Sequence, residues 1–538
     1  MLRNTMRYAG LCACLCAMRA GAADYCWQNV SGDWDGLSNW SVGAPAAAVT
    51  PVEAPPGSED SIYFQTGSYA LRLVADTTIG NLILDHSWTL GIGEKRPLFN
   101  LDGKTLTVNG KLCSSGNPWD YRYGTHLTLS NGIVRCANVD ASVNPSREHA
   151  QGHVYLRGPL DLQSTGSVGL RGKGSTLEVT GGAQATFSGL FRAQGDHPGV
   201  LVSGTGTKLT VSGIYGLYAI GSLDFTISDG ASAYFASFET GYSDNGPAYG
   251  GTTLVDNGTL EIGTEKSGIH NSGLTIGYGY SGNEAVHDIQ LVVTNGGVVK
   301  ASAKSVCIGA GNRKVTTGPG AFNNRILIAA GGSLLPVTEE TSYTIYVGAG
   351  SATSNRLDVV DGTVVCGSVQ VGGYSSWGME DVLDYASNNV FRVAGSHPSV
   401  TLMGADNAFG VQYGGALNIY HGGVLRFEIG KDGYADTPIK ITRGSVLTNQ
   451  KTDHWGIHYT ELPARLEIEA DVFARNHPGT KVTLLSCAVA SKSALEELVN
   501  NATIEGKAKY RGTLTVEGDN TKICYTTPKA PGLMMLLR

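Results

Sequence analysis

The sequence predicts an all-β chain wound into a parallel β-helix, and three observations carry that expectation. A short phrase, apolar-x-apolar-x-x-Gly, recurs as Leu127/Leu129/Gly132, Leu177/Val179/Gly182, Phe225/Ile227/Gly230 and Leu291/Val293/Gly296. It returns as Ile326/Ile328/Gly331, Leu357/Val359/Gly362 and Leu417/Ile419/Gly422. Side chains two residues apart share one face of a strand, so each copy reads as a half-buried strand entering a turn. Glycine is the second observation: 74 of 538 residues suits many tight corners and few helix interiors. Third, the copies follow one another at irregular spacings of a few tens of residues, as the stacked coils of a solenoid do.

The chain opens as an export signal over 1–22. Arg3 and Arg7 supply its positive end, Tyr8 to Met18 its apolar stretch and Ala20-Gly21-Ala22 a small-residue cleavage site, so the mature chain would begin near Ala23. Leu11-Cys12-Ala13-Cys14 offers a lipoprotein signal as the alternative, with a short apolar stretch before it. Residues 23–70 differ in texture. Trp27, Trp34 and Trp40 crowd together ahead of a Pro/Ala-rich run, and Ser61-Ile62-Tyr63-Phe64 begins an alternating pattern. A solenoid end exposes an apolar cross-section, and these tryptophans are placed to cover it.

The β-helix itself is expected over 71–465. Ile289 to Gly311, Arg325 to Gly350 and Arg356 to Gly373 align as three copies of one coil with three strands and three corners. In the third strand, Leu274, Val306, Ile345 and Val369 should stack inward, as should Ile276, Ile308, Val347 and Val371. Thr275, Cys307, Tyr346 and Gln370 fall between them and should face outward. Asn-Gly and Asp-Gly pairs here read as corners of a coil and not as hairpin turns. The longest connections, Tyr278 to His287, Asn312 to Asn323, Ser351 to Asn355 and Tyr374 to Asn389, all follow the third strand and should leave one edge of the cylinder. Such loops are where binding resides on a rigid scaffold, unless that corner merely tolerates insertions.

Past Ile441 the pattern loosens, and 466–538 is expected to form a C-terminal cap of strands and one short helix. Arg465 to Glu469, Lys481 to Leu485, Lys509 to Val516 and Thr521 to Thr526 are strand-like. Ser493-Ala494-Leu495-Glu496 has the form of a capping box opening a helix to about Val499. The apolar Leu533 to Leu537 would supply a closing strand.

The opening pattern Trp27…Gly32-Asp33-Trp34…Asn39-Trp40-Ser41…Asp60…Phe64 resembles the start of many large bacterial surface proteins. The Leu-x-Val-x-x-Gly-Gly and Val-Gly-x-Gly phrases resemble the passenger β-helices of autotransporters, with repeats in the autotransporter-associated style. Val482-Thr483-Leu484-Leu485 followed by Gly512-Thr513-Leu514-Thr515-Val516 is similar to the segment that closes such passengers. The resemblance spans about Trp27 to Tyr525 and implies a right-handed coil and a surface location. It carries over no shared chemistry. The membrane-barrel domain that should follow a passenger is not in this sequence, so self-driven secretion is not expected.

The sequence holds few residues arranged for chemistry. A glycosidase would need two carboxylates about 5 to 9.5 Å apart, yet there is no Asp-Asp pair, and Asp358 aligns with Val292 and Leu327. Glu380, Asp381 and Asp384 make one acidic loop. His197 and His397 lie in matching phrases, Phe191 to Pro198 and Phe391 to Pro398, whose duplication suits a structural corner better than a catalytic pair. His454 and His458 are four residues apart in a loop-like setting, which does not suit a metal. No cofactor or metal motif occurs. Cys113 and Cys136, about one coil apart, are the pair that a disulfide between neighbouring rungs would join; an odd number of mature cysteines gives no disulfide framework. Net charge is −7 without a long basic run, which argues against nucleic acid. No stretch beyond the signal is long and apolar enough to span a membrane as a helix.

Exposed aromatic residues point to a different class of function. Tyr278, Tyr280, Tyr374 and Trp377 sit among Gly and Ser in the loops and could stack on sugar faces or contact protein; otherwise they cover a long flank. The expected function is that of a non-catalytic, exported surface module, structural or adhesive, with a polysaccharide or a surface protein as partner. The alternative is a polysaccharide-binding or carbohydrate-active protein of the pectate-lyase-like β-helix type.

Overall fold

The computed structural model describes residues 22–530 apart from 29, 43–49, 65–66, 85–94, 114–124, 142–151, 215, 244–247, 264–271, 280–285, 303–304, 312–319, 340–341, 351, 375–386, 405–414 and 449–461. Residues 1–21 of the expected export signal, the acidic stretch Glu380 to Asp384, His454, His458 and Leu533 to Leu537 lie outside the described residues. The rest is a parallel β-helix. Its strands join into one network of 45, plus a separate sheet of four.

Each coil runs through three main faces, and four successive coils add a short fourth. One complete coil is Gln290–Thr294 on the first, Val298–Ala301 on the second and Ser305–Gly311 on the third. Corresponding strands of successive coils pair in parallel. Leu291, Ile326, Leu357 and Phe391 therefore stack in register on the first face. Val299, Leu334, Val364 and Val400 do so on the second. On the third, Leu274, Val306, Ile345, Val369 and Leu417 form one inward column, and Ile276, Ile308, Val347, Val371 and Ile419 the other. These third-face side chains are 0% exposed, as alternation along the strand requires. Each stabilises the coil by about 1.5–3 kcal/mol relative to an exposed position.

The corner between first and second faces is made by Asp229, Asn295 and Asp361 in the left-handed conformation at φ 56°, 51° and 53°. Short side chains that bond locally tolerate that region, so Asn-Gly and Asp-Gly turn the coil instead of a hairpin.

A fourth face was not legible in the sequence. Ala248–Tyr249, Val286–His287, Ala321–Phe322 and Ala352–Thr353 pair in parallel as two-residue strands, inside three of the connections expected to be plain loops and in the coil before them. Ala248, Val286, Ala321 and Ala352 point inward at 0% exposure. Between this face and the next first strand lies a ladder of buried asparagines. Asn324 Nδ2 donates to Asn355 Oδ1 at 3.0 Å, and Asn355 Nδ2 to Asn389 Oδ1 at 3.1 Å. The same Oδ1 atoms accept the backbone N–H of Asn324 and Asn355, both at 3.0 Å.

Antiparallel pairing, by contrast, occurs at the two ends. Asp24–Trp27 pairs antiparallel with Trp40–Val42, and Trp27, Trp34 and Trp40 pack on one another with centroids 4.7 to 6.3 Å apart. At the far end Lys481–Cys487 and Thr513–Glu517 flank Lys522–Thr526 in antiparallel fashion. The terminal helix spans Lys492–Asn500 with Ser491, not Ser493, at its N-cap and no side-chain cap bond. Ser491 Oγ instead accepts from Val446 N across the end of the stack.

The Cys113–Cys136 pairing does not fit the register. Cys136 is a free, buried thiol that pairs in register with Val108, while Cys113 lies opposite Asp140, so neighbouring rungs do not bring the two cysteines together. The Phe-Arg-x-x-Gly-x-His-Pro phrases occupy different faces. Phe191–Gly195 is a third-face strand and Val390–Gly395 a first-face strand. His197 bridges to Asp224 at 3.1 Å, whereas the backbone at His397 is held by Asp361. Both copies are structural corners of unlike geometry.

Candidate functional site

The outer side of the third face concentrates the polar groups that the coil does not need for its core. Its central outward column runs Asp140, Gly169, Arg192, Tyr218, Glu239, Thr275, Cys307, Tyr346, Gln370 and Asn418. These residues alternate with the inward ones, yet Glu239, Thr275 and Asn418 are 2%, 1% and 5% exposed. Cys307 faces outward as expected and is half-buried, and desolvation pushes its thiol up to about 11. Connections entering and leaving this face, among them 264–271, 375–386 and 405–414, lie outside the described residues.

Tyr278 sits three residues beyond Thr275 of this column, half-buried, on Ser272–Gly279. Its ring stacks on Tyr242 at 5.7 Å and 7°, and Tyr242 in turn meets Tyr218 at 4.7 Å. One face of Tyr278 is thus taken by a tyrosine ladder, which makes it part of the wall. Tyr374 lies on Ser368–Tyr374, in register with Ala349. Tyr280 and Trp377 lie outside the described residues. A second aromatic ladder crosses the fourth face: Tyr249, His287 and Phe322 stack at 5.9 and 4.7 Å with nearly parallel rings.

Among the described residues, the two carboxylates of the third-face column stand far apart. Asp140 and Glu239 share the outward column four rungs apart, about 19 Å at the usual strand spacing, which is beyond the separation of a hydrolytic pair. On the first face Asp358 is outward in register but 0% exposed, because Arg325, Arg356 and Arg392 close over it. Arg392 also pairs with Glu428, and Arg426 reaches Glu428, Glu467, Glu469 and Glu505. Burial alone would raise the Glu428 carboxyl, but hydrogen bonds from Arg392 and Arg426 hold it below the ordinary range. Four arginines meet five carboxylates in this lattice, and each of the five is held by at least one arginine. Among the described residues no group of three or more His, Cys, Asp or Glu is placed to hold a metal.

The chain therefore belongs structurally to the parallel β-solenoids, with its distinctive polar surface on one face. No protein-family model matches it, nor does any curated protein or solved structure. Among the described residues, no helix is long and apolar enough to cross a membrane.

Proposed function

We propose that this protein is an exported, non-catalytic surface module whose rigid stack displays the connections around its third face for adhesion. The observation that carries the reading is the division of labour among the faces. The first face ties its outward charges to one another in the lattice from Asp358 to Glu505. The third face keeps a varied polar column, and the longest connections of the sequence follow its strands in chain order, as on a scaffold for contact. The passenger-like phrases of the sequence favour a bacterial surface location, and the solenoid architecture agrees with them.

The test is to present the purified chain from Ala23 to a panel of polysaccharides and surface proteins, with release of sugar fragments monitored in parallel. Saturable binding without fragment release is expected. Fragment release from any polysaccharide would overturn the reading in favour of an enzyme, and absence of all binding would reduce it to an inert spacer.

A further inference from the structure

We infer that Arg171 and Arg192 form a binding site for an acidic polysaccharide on the third face. This deepens the adhesive reading above and rests on it. Arg171 ends the strand Val168–Arg171, and Arg192 belongs to Phe191–Gly195 on the next rung. The register pairs Gly169 with Arg192 and Arg171 with Gln194. The two arginines are thus diagonal neighbours on one outward surface, with Cα atoms about 7–8 Å apart.

Both side chains are half-buried, and their Nε atoms are buried without a hydrogen-bond partner, as are those of Arg356 and Arg392 on the first face. Among the described residues neither guanidinium enters an ion pair. The first face shows how this chain treats outward arginines when they serve the fold: Arg325, Arg356, Arg392 and Arg426 are each bound to a carboxylate. Two like charges on adjacent rungs repel, and a bound anion would relieve that repulsion. Guanidinium forks match carboxylate and sulfate groups bidentately. Gly169 leaves a bare step beside Arg192, and Gln194 offers an amide between the two charges for a sugar hydroxyl. Repeated anionic groups with hydroxyls between them are the chemistry of a polyuronate or a sulfated glycan.

The test measures affinity of the full mature chain for polygalacturonate, dextran sulfate, neutral dextran and polyglutamate. Variants Arg171→Gln, Arg192→Gln, the double substitution and Arg192→Lys are compared with Arg135→Gln, an exposed arginine on the second face. Binding to one or both acidic glycans is expected, weakened about tenfold by each single Gln and about a hundredfold by the double. Arg192→Lys should lose part of the affinity, and Arg135→Gln should change it less than about twofold. The arm that binds better separates carboxylate from sulfate recognition. Without ligand, the double variant should melt no lower than the parent. A lower melting point, an equal loss in Arg135→Gln, or tighter binding to polyglutamate would overturn the site. Failure of both acidic glycans while other panel ligands still bind would remove this site and leave the adhesive reading standing.

Discussion

Thr253 occupies an inward place between Phe225 and Leu291, 1% exposed, and its hydroxyl has no hydrogen-bond partner. Thr240, inward opposite Ile276, is in the same condition. A hydroxyl taken out of water without a partner costs about 1–3 kcal/mol, while valine fills nearly the same shape. Thr253→Val should therefore raise stability by about 1–2 kcal/mol, read as a later midpoint in urea at unchanged slope. A lower midpoint would mean that the hydroxyl is bonded in solution. Threonine at these two places shows the limit of pattern reading at single residues. The period of two marks Thr253 as inward, but its chemistry argues against the interior. Glu239 and Asn418 fail in the opposite sense: alternation turns them outward correctly, and nothing in it says that outward positions on this face are buried.

Among elements, the asparagine ladder explains a glycine that the sequence flagged without a reason. In the phrases Ile308-Gly309-Ala310-Gly311 and Val347-Gly348-Ala349-Gly350, Gly309 and Gly348 take φ of 66° and 76°, and a Cβ there would lie 2.1 and 2.2 Å from the side chains of Asn355 and Asn389. Third-face strands must bend at these glycines to admit the carboxamides. Asn stands two residues before Ile326, Leu357 and Phe391, so a signal was present in the sequence at fixed offset. Two-residue strands such as Val286–His287 carry no periodicity, and the fourth face had no comparable signal. Asn355→Asp keeps the accepting oxygens but loses the donor to Asn389 and buries a charge; it should cost about 3 kcal/mol or more. Asn355→Ser, which retains a smaller donor, should cost less, and equal losses for the two would count against the ladder. The charge lattice predicts a pH dependence of defined sign. The Glu428 carboxyl is lowered from 4.5 by its arginines, so its stabilisation is present above the ordinary carboxylate range and fades as the pH falls through and below it. Glu428→Gln should lower stability at neutral pH and flatten the acid limb of the stability curve; an unchanged acid limb would assign that limb to other groups.

For the whole molecule, coils touch their neighbours and little else, so disturbance should spread along the axis and decay. Trp34 is 3% exposed at one end, stacked on Trp27, edge-on to Trp40 at 4.8 Å and 6.1 Å from Phe99 of the first rungs. Its clustering with Trp27 and Trp40 was legible in the sequence because three large rings within a few residues have no use on a solvated strand. Replacing Trp34 with alanine removes a side chain of this size from a closed end and should cost about 3–5 kcal/mol locally. Amide exchange should then accelerate in Ser61–Phe64 and Gly67–Arg72, which pack against the cap, while Gln290–Thr294 and Arg356–Val360 keep their protection. A globular chain with one shared core would respond otherwise, losing protection throughout. Uniform acceleration along the chain would therefore contradict the one-dimensional coupling on which the stacked aliphatic columns, the asparagine ladder and the displayed third face all depend.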